Sequence, residues 1–127
     1  MDMAARRQTI LIVEDEEDLR RLFRTALSLA GYDVLEAGDG LEALQRIDAA
    51  PPDLIVLDLV LPRLSGIAVR QEIAAQALTR DIPIVVITGS PVEPTGMDVA
   101  CFLRKPVDPD RMVEAVRTCL ASGAQRV

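Results

Sequence analysis

Four short runs of apolar, largely β-branched residues stand out along the chain: Thr9–Val13, Leu54–Leu57, Ile84–Ile87 and, more weakly, Cys101–Leu103. Continuous apolar runs of this length suit strands covered on both faces. A fifth stretch, Asp33–Ala37, is weaker and more polar, as an edge strand is. Between the runs, apolar residues recur at helical spacing. They are Leu19, Leu22, Phe23, Ala26, Leu27 and Ala30; Leu41, Leu44 and Ile47; Val69, Ile73 and Ala77; and Met112, Val113, Val116, Cys119 and Leu120. Asp39 and Glu42 have capping-box spacing, Ser65 precedes a helical run, and Asp108 offers an N-cap followed by Pro109 at the first helical position. Gly31 and Gly123 stand where helix C-caps belong.

Strands that alternate with helices imply parallel pairing through right-handed crossovers, hence a three-layer α/β sandwich. The alternation fails once. Gly89–Ala100 is only twelve residues long and contains Pro91, Pro94 and two glycines, so no full covering helix fits there. At most Pro94–Ala100 makes one or two turns. No repeat, low-complexity tract or linker interrupts Thr9–Leu120. One domain over residues 1–127, with its core at about 8–121, is the expectation.

Composition removes whole classes of chemistry. The 127 residues include no histidine, which excludes Ser-His-Asp and Cys-His catalysis, His-ligated metal sites and a phosphohistidine carrier. Cys101 and Cys119 are too far apart for a C-x-x-C motif and read as buried thiols in a reducing compartment. The formal net charge of −6 disfavours nucleic acid and anionic lipid as partners. The apolar residues after Met1–Gln8 are too few for a signal-peptide core, and Leu54–Leu61, broken by Asp58, falls far short of the ~20 residues that span a bilayer. A soluble, cytoplasmic protein is expected.

In an open parallel sheet, ligands bind outside the carboxyl ends of the strands, so the residues that follow each apolar run carry the candidate chemistry. These are Glu14, Asp15, Asp58, Thr88 and Lys105. Carboxylates with one hydroxyl and one ammonium suit a hard divalent cation together with an anionic group, and oxygen ligands without His or Cys favour Mg²⁺ over zinc. Glu16, Glu17 and Asp18 read instead as complements to a helix macrodipole. Asp58 has apolar neighbours on both sides, where a lone carboxylate is costly unless compensated. Its plainer reading is a turn or capping residue before Pro62; its chemical one is a nucleophile that attacks phosphorus beside Mg²⁺. Lys105 is the only lysine against thirteen arginines, and a compact point charge suits a phosphoryl group. Thr88 has small Gly89 beside it, which leaves room for a bound group.

The segments ILIV-Glu14-Asp15-Glu16, LIVL-Asp58-LVL-Pro62, IVVI-Thr88-Gly89 and Phe102-Leu-Arg-Lys105-Pro106, in this order, closely resemble the receiver domain of two-component response regulators. The resemblance runs from Thr9 to Leu120. It implies a flavodoxin-like, doubly wound sheet of five parallel strands in the order 2-1-3-4-5. It makes Asp58 the phosphoacceptor for a partner's phosphohistidine, and Glu14, Asp15, Asp58 and the Val60 backbone carbonyl the ligands of Mg²⁺. Lys105 pairs with the phosphoryl oxygens, Thr88 donates its hydroxyl to one of them, and Phe102 is the aromatic that turns inward when Thr88 moves. The plainer reading of Phe102 is core packing. The bond before Pro106 is cis in most members.

The implied partners are a sensor histidine kinase or a histidine phosphotransfer protein, a downstream protein and, in members that dimerise, a second copy. Neither nucleic acid nor membrane is implied for this segment. Catalysis would be confined to its own phosphorylation and dephosphorylation. Gly89–Ala100 departs from the family, with a fourth helix short or missing where members carry part of their signalling surface. The alternative is a receiver-like scaffold that binds partners without phosphorylation. Metabolite phosphatases of the aspartyl-phosphate type carry a second Asp two residues after the nucleophile, where this chain has Val60. No G-x-G-x-x-G or P-loop follows the first strand, where Glu14-Asp15-Glu16 would repel a nucleotide phosphate.

Overall fold

A computed structural model describes residues 6–91 and 99–124. The elements are β1 (Thr9–Val13), α1 (Glu17–Leu29), β2 (Asp33–Ala37), α2 (Gly40–Ala49), β3 (Leu54–Leu57), α3 (Gly66–Ala75), β4 (Ile84–Thr88), β5 (Cys101–Arg104) and α4 (Pro109–Ala124). The five strands are parallel in the order β2-β1-β3-β4-β5, as expected. The continuous apolar runs are the central strands; the polar run Asp33–Ala37 is an edge, as is β5. The sequence expectation of a short or absent helix in Gly89–Ala100 falls mainly on residues 92–98, which lie outside the described residues.

Alternate residues of each strand feed opposite faces of the sheet. Ile10, Ile12, Leu54, Val56, Val85 and Ile87 meet Phe23 and Leu27 of α1 and Met112 and Val116 of α4. Leu11, Val13, Ile55, Leu57, Ile84 and Val86 meet Ala43 and Ile47 of α2 and Val69 and Ile73 of α3. A side chain such as Ile55, wholly excluded from solvent, contributes about 1.5–3 kcal/mol by its burial. Two apolar layers therefore hold the central strands from both sides and fix where their carboxyl ends emerge.

The helix ends follow from local chemistry. The Asp39 carboxylate accepts the Glu42 N–H at 2.8 Å, and Glu42 reaches back to the Gly38 N–H at 2.7 Å. The Ser65 hydroxyl accepts the Ala68 N–H at 3.2 Å. α1 closes at Gly31, whose φ of +102° suits glycine, with the Gly31 and Tyr32 N–H groups donating to the Ser28 and Leu27 carbonyls.

Several expectations need correction. Ala77 lies outside α3 and is exposed, because Gln76 is extended and the Thr79 hydroxyl caps the helix by donating to the Ile73 carbonyl at 2.7 Å. Gly123 is no C-cap, since α4 continues through it to Ala124. Leu22, Ala30 and Leu41 belong to the helical stripes but sit at their margins, exposed to solvent. Cys101, at an edge strand, is half-buried; only Cys119 is buried. Among the described residues no helix is long and apolar enough to cross a membrane.

Candidate functional site

Backbone pairing continues one residue beyond β1, β3 and β5. The Glu14 N–H donates to the Ala37 carbonyl at 3.0 Å, the Asp58 N–H to the Val13 carbonyl at 3.1 Å, and the Lys105 N–H to the Thr88 carbonyl at 3.0 Å. Glu14, Asp58, Thr88 and Lys105 are thus held by the sheet lattice rather than by loops. The three polar groups on the central strands are buried in spite of their chemistry, with Glu14 at 2%, Asp58 at 5% and Thr88 at 0% exposure.

Lys105 joins the two buried carboxylates. Its ammonium lies 2.7 Å from Glu14 Oε1 and 2.9 Å from Asp58 Oδ2. The second oxygens are engaged by backbone: Glu14 Oε2 accepts the Glu16 N–H at 3.0 Å, and Asp58 Oδ1 accepts the Val60 N–H at 3.1 Å. Burial pushes the Glu14 carboxyl above its ordinary range, against the opposing pull of Lys105 and the Glu16 N–H; the Asp58 charge adds to the rise. For Lys105 burial is the largest single influence and acts downward, but the two carboxylates together outweigh it and raise the ammonium above its usual value. Asp15 is exposed, yet one of its oxygens lies with one each from Glu14 and Asp58 within a mutual 4.8 Å.

This donor set fits a hard divalent cation. Three carboxylates face one ammonium, an excess of two negative charges at one rim, and all the candidate ligand atoms are oxygens. Thr88 lies on β4 beside this cluster, with its Oγ1 accepting the Ser90 N–H at 3.2 Å. Phe102 stands apart: it packs half-buried against the α2/α3 side of the core, and the Arg104 guanidinium lies 5.2 Å from its ring centroid. The Lys105–Pro106 peptide is cis.

Two residues that sequence reasoning missed shape the site. Arg20 Nη1 donates to the Glu14 carbonyl at 2.8 Å while its Nε pairs with Glu36 at 3.0 Å, which ties the β1–α1 turn to β2. On sequence it is one more charge on an amphipathic helix, distinguished only by following a wholly acidic stretch. Gly66 is the other. Its N–H donates to the Leu59 carbonyl at 2.9 Å, and a Cβ there would overlap the Asp58 carbonyl oxygen, so only glycine lets α3 start this close to the β3 exit.

Residues 10–117 match the sequence pattern of the response regulator receiver domain. The chain belongs to this receiver domain family of two-component signalling. The phosphate regulon transcriptional regulatory protein PhoB of Pseudomonas aeruginosa is 37% identical over 118 residues, which cover 89% of this chain and 52% of PhoB. The alkaline phosphatase synthesis transcriptional regulatory protein PhoP of Bacillus subtilis is 37% identical over 116 residues, 87% of this chain and 48% of PhoP. This receiver chain therefore spans about half the length of the curated relatives it matches. Among solved structures, the chemotaxis response regulator CheY4 of Vibrio cholerae superimposes with a TM-score of 0.82 at 25% identity, over 90% of this chain and 99% of that one. The receiver family accounts for the strand order and for an acidic rim at the carboxyl ends of the strands.

Proposed function

We propose that Asp58 is the phosphoacceptor of this receiver domain, and that residues 1–127 form a single domain with its core at about 8–121. The observation that carries the reading is the Asp58 carboxylate, buried at the end of β3, with the Lys105 ammonium at 2.9 Å and the oxygens of Glu14 and Asp15 within 4.8 Å. One Asp58 oxygen bonds to phosphorus as the phosphorus–nitrogen bond of a phosphohistidine breaks, and the electron pair leaves with the donor imidazole. Lys105 then shifts its ammonium from the carboxylates toward the phosphoryl oxygens. Thr88 supplies its hydroxyl to one of those oxygens, and Phe102 turns inward to fill the space that Thr88 leaves.

Mg²⁺ held by Glu14, Asp15, Asp58 and the Val60 carbonyl would neutralise charge on the transferring group. The partners of this reading are a sensor histidine kinase or a histidine phosphotransfer protein and a downstream protein, in the cytoplasm. The chain acts chemically only on its own phosphoryl group. PhoB and PhoP are transcriptional regulators by name; a like output for the protein that carries this chain is part of the proposal.

Incubation with acetyl phosphate followed by intact-mass measurement tests the reading. One Mg²⁺-dependent phosphoryl group is expected, and none on Asp58→Asn. Equal incorporation in the variant would remove Asp58 from the role. No incorporation from acetyl phosphate or from a cognate kinase, together with no measurable Mg²⁺ binding, would favour a scaffold that works without phosphorylation.

A further inference from the structure

The two cysteines of the chain, eighteen positions apart in sequence, line one cavity in the fold. Cys101 opens the edge strand β5 and is half-buried; Cys119 lies well inside α4 and is buried. Both pack on the same apolar cluster, and both line one solvent-open cavity of about 350 Å³ between β5 and α4. Chain geometry accounts for this shared lining. Cys101 stands four residues before Lys105, about 13 Å at ~3.3 Å per strand residue. Cys119 stands ten residues after Pro109, about 15 Å at ~1.5 Å per helical residue. The helix runs back along the strand it follows, so the two residues come to line the same cavity. Ala100 and Ala115 beside them carry no side chain beyond Cβ to fill the space.

We propose that Cys101 and Cys119 form a redox-active dithiol that closes to a disulfide across the β5–α4 edge on reaction with a small disulfide of the glutathione class. Cys101 is the entry point because it meets solvent. Its thiolate attacks one sulfur of the small disulfide, a mixed disulfide forms, and one small thiolate leaves. Cys119 then loses its proton to water and attacks the Cys101 sulfur. The intramolecular bond forms as the second small thiolate departs, so the protein gives up two electrons and the small disulfide is reduced to two thiols. Burial raises the Cys119 thiol, and the nearby Cys101 charge adds to that rise, which keeps Cys119 inert in the first encounter and leaves it to the second step. The closed bond would tie α4 to the strand that ends at Lys105. The dithiol is independent of the phosphoacceptor reading.

The test treats the folded chain with glutathione disulfide, traps remaining thiols with N-ethylmaleimide and measures intact mass without reductant. The wild type is expected as a monomer lighter by two hydrogens, with no maleimide and no glutathione. Cys119→Ser should stop at one bound glutathione. Closure should be faster in buffer than in urea by more than about tenfold, because the fold holds the thiols together. Any of four results overturns the proposal: two maleimides on the wild type at every dose, a lasting mixed disulfide, disulfide-linked dimers, or closure in buffer no more than about tenfold faster than in urea.

Discussion

At the β2 edge of the sheet, Glu36 receives Arg20 at 3.0 Å and Arg24 at 3.5 Å from α1, and Arg7 reaches Asp33 at 3.5 Å. At the β5 edge, Arg104 lies over the Phe102 ring and donates to the Ser90 carbonyl, while Cys101 faces an open cavity. The first edge is cross-braced, and its brace continues through Arg20 to the Glu14 carbonyl. The second is fastened by Arg104, whose guanidinium reaches both the Phe102 ring and the Ser90 carbonyl. Glu14 thus hangs on the β2 side of the sheet and the ammonium that pairs with it on the β5 side. On the proposed function, a phosphoryl group that draws Lys105 away would displace β5 and leave β1 and β2 in place.

The largest effect is expected where the two halves join. Gly66→Ala forces a Cβ into the Asp58 carbonyl, a backbone group that cannot swing aside, and should lower stability by about 3 kcal/mol in urea unfolding. A loss below about 0.5 kcal/mol would mean the β3 exit is not pinned there. The next effect separates the edges directly. Arg20→Gln removes a part-buried charged donor from the Glu14 carbonyl and from Glu36, and should cost about 1–2 kcal/mol and weaken Mg²⁺ binding several-fold. Arg104→Gln takes a guanidinium from the Phe102 ring and the Ser90 carbonyl and should leave Mg²⁺ binding alone. Equal losses of Mg²⁺ affinity in the two variants would abolish the distinction between the edges.

The smallest effect is a pH dependence at the β5 edge. Burial places the folded Cys119 thiol above its ordinary value of 9.0, so the unfolded chain ionises first. Its contribution is complete below that pH and is lost as pH rises toward the folded value. Unfolding midpoints measured for wild type and Cys119→Ala should show a steeper alkaline decline in the wild type. Parallel curves would place that thiol in contact with water.

How much of this was legible in the sequence depended on whether a signal was local. β1, β3 and β4 announce themselves because a strand covered on both faces has no polar alternate, and Asp58 is conspicuous because a carboxylate between such residues needs a reason. Polar Asp33–Ala37 is legible as an edge for the converse reason. Ala77 fits a helical period, but periodicity cannot register that the Thr79 hydroxyl, two residues later, ends the helix at the Ile73 carbonyl. Gly123 has the composition of a cap and a helical backbone. Arg20 is illegible for a deeper reason: its partners, a main-chain carbonyl and a residue sixteen positions away, exist only once β1, β2 and α1 are assembled. The same holds for Gly66, whose neighbour is a carbonyl oxygen of another element.

The bridge that Lys105 makes between Glu14 and Asp58 also gives the chain a built-in reporter. Because it is the only lysine, it carries the only side-chain primary amine. An acylating reagent therefore marks one side chain, at the site itself, and the extent of labelling reads how tightly that ammonium is held. Any ligand or partner that loosens or shields the bridge becomes visible as a change in the mass of a single peptide, with no engineered probe.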